Sequence, residues 1–329
     1  MNIFLITSPF QYICANEARE AYNTKNNLLV LVLQDTEKGK QHLAQLYDKT
    51  KWDHIIEVRR SNRTFTIPKV LKQINNLTAG KTIENLFFSE YTSWRTRMFQ
   101  RNLPAQKLIF IDDGMANLYE YFQFIKDKKS FTRKRWLQDF LIELQGCKKI
   151  GTLPYADNFE MFSIFDIPHP VCPLKLNRLH SIRQKIGAAA CYEPTAPIAF
   201  IGEGAIGDKN QPSISNYIQR LKVLIANCST DVLYFPHRTE SKQVTEAVKS
   251  LPNLIYHQSE TPIELEIANK GIKISSITGV TSTALYTLSL LYKEVPITAH
   301  TYESHVGNEM IEFLVAHFET RTIQMTNNA

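Results

Sequence analysis

Residues 197–202, Pro197-Ile198-Ala199-Phe200-Ile201-Gly202, decide the fold. The stretch 198–202 is a short, nearly continuous apolar run closed by glycine, the pattern of a strand covered on both faces of a parallel sheet. It restarts a rhythm that had been lost. Downstream the chain reads helix 214–226, strand 231–235, helix 240–250, strand 254–256, helix 262–268, strand 272–276, helix 282–291 and strand 295–298. Residues 303–317 predict a last amphipathic helix packing back on the N-terminal half, and 322–329 a frayed tail. Upstream, 152–197 holds Pro154, Pro168, Pro170, Pro173, Pro194 and Pro197 and no long periodic run, so 156–197 reads as a linker. Before it the same alternation appears: strands 3–7, 28–33, 54–58, 86–89 and 107–111, with helices 12–22, 67–74 and 94–102 between them. Two runs of strand–helix alternation predict two doubly wound α/β domains, 1–155 and 198–329, facing a cleft.

Composition agrees with this. The chain has 329 residues, 43% hydrophobic and 21% charged, which suits roughly two globular domains and excludes a disordered, collagenous or coiled-coil protein. No run of about 18 apolar residues is present to span a bilayer. The first 18 residues lack a basic n-region and read as a buried first strand rather than a signal peptide. Cys14, Cys147, Cys172, Cys191 and Cys228 are scattered and never spaced CxxC, so neither a disulfide framework nor a zinc site is expected, and a cytoplasmic location is. The net charge is +6. Its densest basic stretch, 126–149, carries Lys126, Lys128, Lys129, Arg133, Lys134, Arg135, Lys148 and Lys149 against Asp127, Asp139 and Glu143, with Phe131, Trp136 and Phe140 interleaved. That pattern fits a solvated helix face or peripheral contact with an anionic membrane. It lacks the motif context that nucleic-acid binding demands.

Ligands of such sheets bind at the carboxyl ends of strands, so the residues just after each strand are the candidates. Asp112-Asp113-Gly114 follows the apolar strand 107–111. Two adjacent carboxylates disfavour joint ionisation, which suits a general base, although Asp-Gly serves equally as a turn. Pro236-His237-Arg238 follows strand 231–235, and imidazole beside guanidinium near a helix start suits phosphate; a surface His-Arg pair is the plainer alternative. Thr281-Ser282-Thr283 opens an apolar helix, as a phosphate seat or as a simple N-cap. Glu264, two residues after Pro262, answers the helix dipole or the two hydroxyls of a ribose. Gly202-Glu203-Gly204-Ala205-Ile206-Gly207 spells GxGxxG, but Asp208 to Pro212 follows where a helix should run, so a glycine loop lining the cleft is the better reading. There is no Walker A loop, no DxD, no GxSxG and no HExxH, and the histidines do not cluster with carboxylates, so no metal or cofactor is expected.

In that order the segments 7–18, 112–114, 235–240, 262–264 and 281–285 resemble the bacterial sialyltransferases. The likeness is greatest to the lipooligosaccharide sialyltransferases of glycosyltransferase family 52, with kinship to the bacterial polysialyltransferases. The resemblance implies a GT-B-like, inverting, metal-independent enzyme with CMP-sialic acid as donor and a lipooligosaccharide or capsular glycan as acceptor. By it Asp112 is the favoured base and Asp113 the second candidate or its support. His237 meets the departing CMP phosphate, Ser282 and Thr283 bind it, and Glu264 takes the ribose or cytosine side. Gly114, Gly202, Pro236 and Arg238 complete the donor side. Ser8, Phe10 and Gln11, with Trp94 and Arg95, form the acceptor or sugar pocket. These families often carry His-Pro, whereas Arg238 follows His237 here. The alternatives are transfer from another CMP-linked nonulosonate or from CMP-Kdo, a hexosyltransferase of the same fold, and a non-enzymatic protein binding anionic surfaces.

Overall fold

A computed structural model describes residues 1–187, 191–208, 212–302, 309–318 and 322–325. It divides into two compact units, Met1–His180 and Ser181–Ala329. In the first, β1 (Asn2–Ile6), α1 (Pro9–Ala21), β2 (Asn27–Val32), α2 (Glu37–Leu46), β3 (His54–Val58), α3 (Arg63–Thr78), β4 (Ile83–Phe88), α4 (Trp94–Asn102) and β5 (Ala105–Ile111) alternate. α5 (Met115–Glu120) follows and runs into a π-helical turn, Tyr121–Ile125. β6 (Phe131–Arg133) and β7 (Gly151–Leu153) pair antiparallel and bracket α6 (Trp136–Leu144). β8 (Phe159–Ser163) and β9 (Leu174–Leu176) then rejoin the main sheet, whose order is β3-β2-β1-β4-β5-β8-β9, parallel throughout.

The apolar runs explain this sheet. Every residue of β1 and β2 is buried, as helices on both faces require. Phe4 of β1 stacks on Phe87 of β4 at 4.1 Å between ring centres, and Ile109, Ile111 and Phe162 extend the same core. α1 begins sharply because Ser8 caps it, its Oγ accepting the Gln11 N–H at 3.2 Å, with Pro9 in the first turn.

α7 (His180–Lys185) crosses the junction. The second unit repeats the rhythm with β10 (Ile198–Ile201), α8 (Ile214–Ala226), β11 (Val232–Phe235), α9 (Lys242–Lys249), β12 (Leu254–Tyr256) and α10 (Ile263–Asn269). β13 (Ser276–Val280), α11 (Thr283–Leu291), β14 (Ile297–Tyr302), α12 (Glu309–His317) and β15 (Thr322–Met325) complete it. Its parallel sheet runs β12-β11-β10-β13-β14-β15. Phe200, Tyr217, Leu221, Tyr234, Val244 and Val248 form a core on one face of it.

Four expectations change. Residues 156–180 are not a free linker: β8 pairs with β5 and β9 with β8, the prolines lying between these strands rather than in them. The strand expected at 272–276 lies at Ser276–Val280, and Gly279 stands inside it because a Cβ there would lie 3.1 Å from the Ile201 carbonyl of β10. The expected tail holds β15, paired in parallel with β14; residues 326–329 lie outside the described ones. The last helix begins at Glu309, residues 303–308 being outside the description. Its His317 and Phe318 meet Tyr286 of α11, within the same unit.

Each sheet reverses its winding once. In the first the reversal lies between β1 and β4, in the second between β10 and β13, the neighbours on either side being reached by crossovers in opposite directions. The carboxyl ends of those strand pairs are where such sheets admit a ligand.

Candidate active site

At the reversal point of the first sheet stand Thr7-Ser8 after β1 and Ser89-Glu90 after β4, with Asp112-Asp113-Gly114 after β5 next door. Hydrogen bonds tie the three strand ends together. Thr7 Oγ1 donates to Glu90 Oε1 at 2.8 Å, Ser8 Oγ donates to Asp113 Oδ1 at 3.1 Å, and Arg95 Nη1 lies 3.6 Å from Glu90 Oε2. The Thr7 carbonyl in turn accepts from Gln34 Nε2 and Arg60 Nη2, both at 2.6 Å.

The two aspartates have different environments. Asp112 is fully buried: Oδ1 accepts from Ser163 Oγ and Oδ2 from the Ile164 N–H, each at 2.7 Å. Burial pushes its carboxyl up to about 7, against the lowering effect of those two donors. Through these bonds Asp112 fastens β5 to β8. Asp113 is half-buried and shares its carboxylate with Ser8. Its backbone N–H donates to Asn117 Oδ1, which sets the start of α5. Gly114 has φ +81 and ψ −143, a backbone conformation open essentially to glycine alone, and it turns the chain after the aspartates.

The proposed sugar-pocket residues divide in the same way. Ser8 sits at the strand-end cluster. Gln11 is wholly buried, its Oε1 accepting the Thr7 N–H at 2.8 Å, so it holds the β1–α1 turn, and Phe10 packs half-buried on the core. Trp94 is buried, with the Arg63 guanidinium over its ring at 5.7 Å. Arg95 is buried too, and its Nε finds no partner among the described residues. Burial, together with Arg60 and Arg63, makes its charge costly, and Glu90 offsets this in part.

In the second unit the reversal point brings the Gly202 loop after β10 beside Thr281-Ser282-Thr283 after β13, with Pro236-His237-Arg238 after β11 alongside. The Thr239 N–H donates to His237 Nδ1 at 3.2 Å, and Thr239 Oγ1 lies 2.8 Å from the same nitrogen. Nδ1 thus accepts, and a neutral ring carries its proton on Nε2. The glycines of the loop are explained by packing. A Cβ on Gly204 would lie 2.7 Å from His237 Cε1, and one on Gly202 would lie 2.6 Å from the Tyr234 hydroxyl. Among the described residues of this loop, no helix begins before Ser213 caps α8. The GxGxxG pattern is therefore a close backbone approach to the β11 loop and not a dinucleotide fingerprint.

Ser282 caps α11, its Oγ accepting the Leu285 N–H at 3.3 Å, and Thr283 is the first helical residue. Thr281 is held back, donating through both N–H and Oγ1 to the His300 carbonyl. Glu264 is buried at the start of α10, where burial raises its carboxyl while Thr287 and the nearby charge of Arg238 lower it. Arg238 itself is exposed and Pro236 half-buried.

Three residues at these edges escaped sequence reasoning. Glu90 obeys the same strand-end rule as Asp113 but was overlooked because Ser-Glu matches no motif. His257, just after β12, bonds through Nε2 to the fully buried Glu266 at 2.8 Å. Burial works to raise Glu266, but donation from Thr261, His257 and Glu260 outweighs it and holds the carboxyl below its usual range. Glu240, three residues after His237, collects the hydroxyls of Tyr234, Thr245 and Tyr256 at 2.6–2.8 Å and stiffens the loop beneath the imidazole.

Among the described residues no group of three His, Cys, Asp or Glu is arranged to hold a metal ion. Two successive α/β units, each built on a parallel doubly wound sheet, make the fold GT-B-like. The family model for alpha-2,8-polysialyltransferase (POLYST) matches residues 2–210, and the chain belongs to that family. It is a glycosyltransferase of the sialyltransferase type. No curated protein matches it. Among solved structures, a protein assigned as UDP-N-acetylglucosamine 2-epimerase from Listeria monocytogenes is 11% identical, with 90% of this chain and 78% of that one covered at a TM-score of 0.50. That likeness shows the fold alone. A glycosyl transferase family 9 protein from Veillonella parvula is 13% identical over 90% and 80% of the chains, TM-score 0.40. MurG of Acinetobacter baumannii is 9% identical over 99% and 88%, TM-score 0.43.

Proposed function

We propose that this protein transfers sialic acid from CMP-sialic acid to a hydroxyl of a cell-surface glycan, lipooligosaccharide or capsule, with inversion and without a metal. The observation that carries the reading is His237: its Nδ1 is occupied by Thr239, so Nε2–H is the donating nitrogen, and the ring is seated on a glycine loop at the reversal point of the second sheet. A departing nucleoside monophosphate is one phosphate and not two, so one imidazole, the Ser282 O–H and the N-terminal end of α11 suffice to receive it.

In the proposed step the acceptor oxygen attacks the anomeric carbon of the sialic acid and its proton passes to the Asp113 carboxylate. The bond from that carbon to the CMP oxygen breaks, its electron pair leaves on the phosphate, and His237 donates to the developing charge. Asp112 positions Asp113 by pinning β5. Glu264 and Arg238 serve the ribose or cytosine side, with Gly114, Gly202, Pro236 and Thr283 shaping the donor loops. Ser8, Glu90 and Arg95 face the sugar or acceptor. The family name supports an acceptor that is itself sialylated, extended through an α-2,8 linkage. Within the same reading the protein is cytoplasmic and works peripherally at an anionic membrane through residues 126–149.

Ligand-dependent thermal unfolding tests the donor class. CMP raises the melting temperature, UDP and GDP do not, and the CMP effect shrinks in His237→Ala, because a ligand that binds only the folded state stabilises it by mass action. Stabilisation by UDP and not by CMP turns the reading to a hexosyltransferase. Turnover with CMP-Kdo in preference to CMP-sialic acid changes the sugar and keeps the site.

A further inference from the structure

The helix α6 exposes apolar side chains that the fold does not use. Trp136 is 83% exposed, Leu137 55%, Phe140 56% and Leu144 67%. At 3.6 residues per turn these four lie within an arc of roughly 100°. The opposite side holds the helix to its unit: Ile142 is buried, Gln138 Nε2 donates to Thr64 Oγ1 at 2.9 Å, and Gln145 Nε2 donates to the Thr64 carbonyl at 3.2 Å. The outward face is therefore a fixed feature of the surface.

Charge frames that face at both ends. Lys134 and Arg135 precede it and Lys148 and Lys149 follow it, all exposed, and the β6–β7 pairing draws the two ends toward one another. The acidic residues of the segment are engaged locally. Asp139 accepts the Arg135 N–H at 2.9 Å, Glu143 pairs with Lys149 at 3.2 Å, and Asp127 pairs with Lys129 at 2.9 Å. An apolar strip led by tryptophan and flanked by cations matches the boundary between anionic headgroups and acyl chains. A second copy docked by the same face would set like charges against each other, so charge complementarity favours the lipid.

We propose that α6 is a membrane-docking helix, its Trp136–Leu137–Phe140–Leu144 face entering an anionic bilayer while Lys134, Arg135, Lys148 and Lys149 contact phosphate headgroups. The proposal rests on the peripheral-membrane part of the function above. It is separable from the transfer chemistry, because binding is read with no donor or acceptor present.

The test uses the full chain and vesicles of phosphatidylcholine with or without phosphatidylglycerol. Trp52 and Trp94 are buried, so Trp136 is the tryptophan whose emission responds. Binding is expected on the anionic vesicles, weakening with salt, with a blue shift of emission and quenching by brominated acyl chains. Trp136→Ser/Phe140→Ser should lose vesicle affinity about tenfold or more and Lys134→Glu/Arg135→Glu should lose the preference for phosphatidylglycerol. Both variants should melt as the parent does, since these side chains are exposed. The proposal is overturned by absence of binding at low salt, by binding that survives the Trp136/Phe140 change, or by a dimer in solution that the change dissolves.

Discussion

Asp112 and Asp113 are adjacent in sequence and opposite in circumstance. Asp112 retains its proton more readily when folded because burial outweighs the help of Ser163 and Ile164. A carboxyl whose folded pKa lies above its unfolded one favours the fold at low pH and loses that contribution as pH rises through the folded value. Between about pH 4 and pH 7 Asp112 therefore lowers stability as pH rises, by at most on the order of 4 kcal/mol. Asp112→Asn keeps both partners if its oxygen faces the Ile164 N–H and its amide faces Ser163. Denaturant unfolding at a series of pH values should show a flatter profile for this variant than for the parent. Equal slopes would mean that Asp112 does not titrate in that window. The motif Asp-Asp-Gly was legible in the sequence, but which aspartate is fully buried was not. The groups that bury Asp112 come from β8, in the stretch whose prolines disguised it as a linker.

At the scale of elements, the candidate residues stand at strand ends and the glycines decide how near those ends come. Gly204 has no side chain where a Cβ would press on the His237 ring. Gly204→Ala should leave the fold nearly intact and reduce turnover on the order of 10- to 10²-fold by displacing the imidazole. Unchanged kinetics would show that the loop does not seat the histidine. Ser282→Ala removes both a cap and a hydroxyl. Unfolding should register a loss of about 1 kcal/mol, and CMP should bind more weakly than that loss of stability explains. CMP binding equal to the parent's would leave Ser282 as a cap only. Most strands and helices were readable from period and capping. β13 lies later than the pattern predicts because it contains Gly279, a residue type that usually weakens a strand but here lets β13 lie close to β10.

For the whole molecule, two repeats of one winding pattern were visible as two runs of alternation broken at 152–197. Alternation is local and survives in sequence, whereas sheet membership is a long-range property. For that reason β8, β9 and β15 were hidden and β1 to β5 were not. Under the proposed function the base and the phosphate site fall on different units, Asp113 following β5 beside the reversal in the first sheet and His237 following β11 beside that in the second. The most direct measurement of this division of labour is turnover, read as CMP released from CMP-sialic acid at saturating glycan acceptor, for Asp113→Ala beside Asp112→Asn. The account predicts a fall of about 10²-fold or more for Asp113→Ala and a far smaller change for Asp112→Asn. Turnover within a few-fold of the parent for Asp113→Ala, with melting behaviour unchanged, would contradict it.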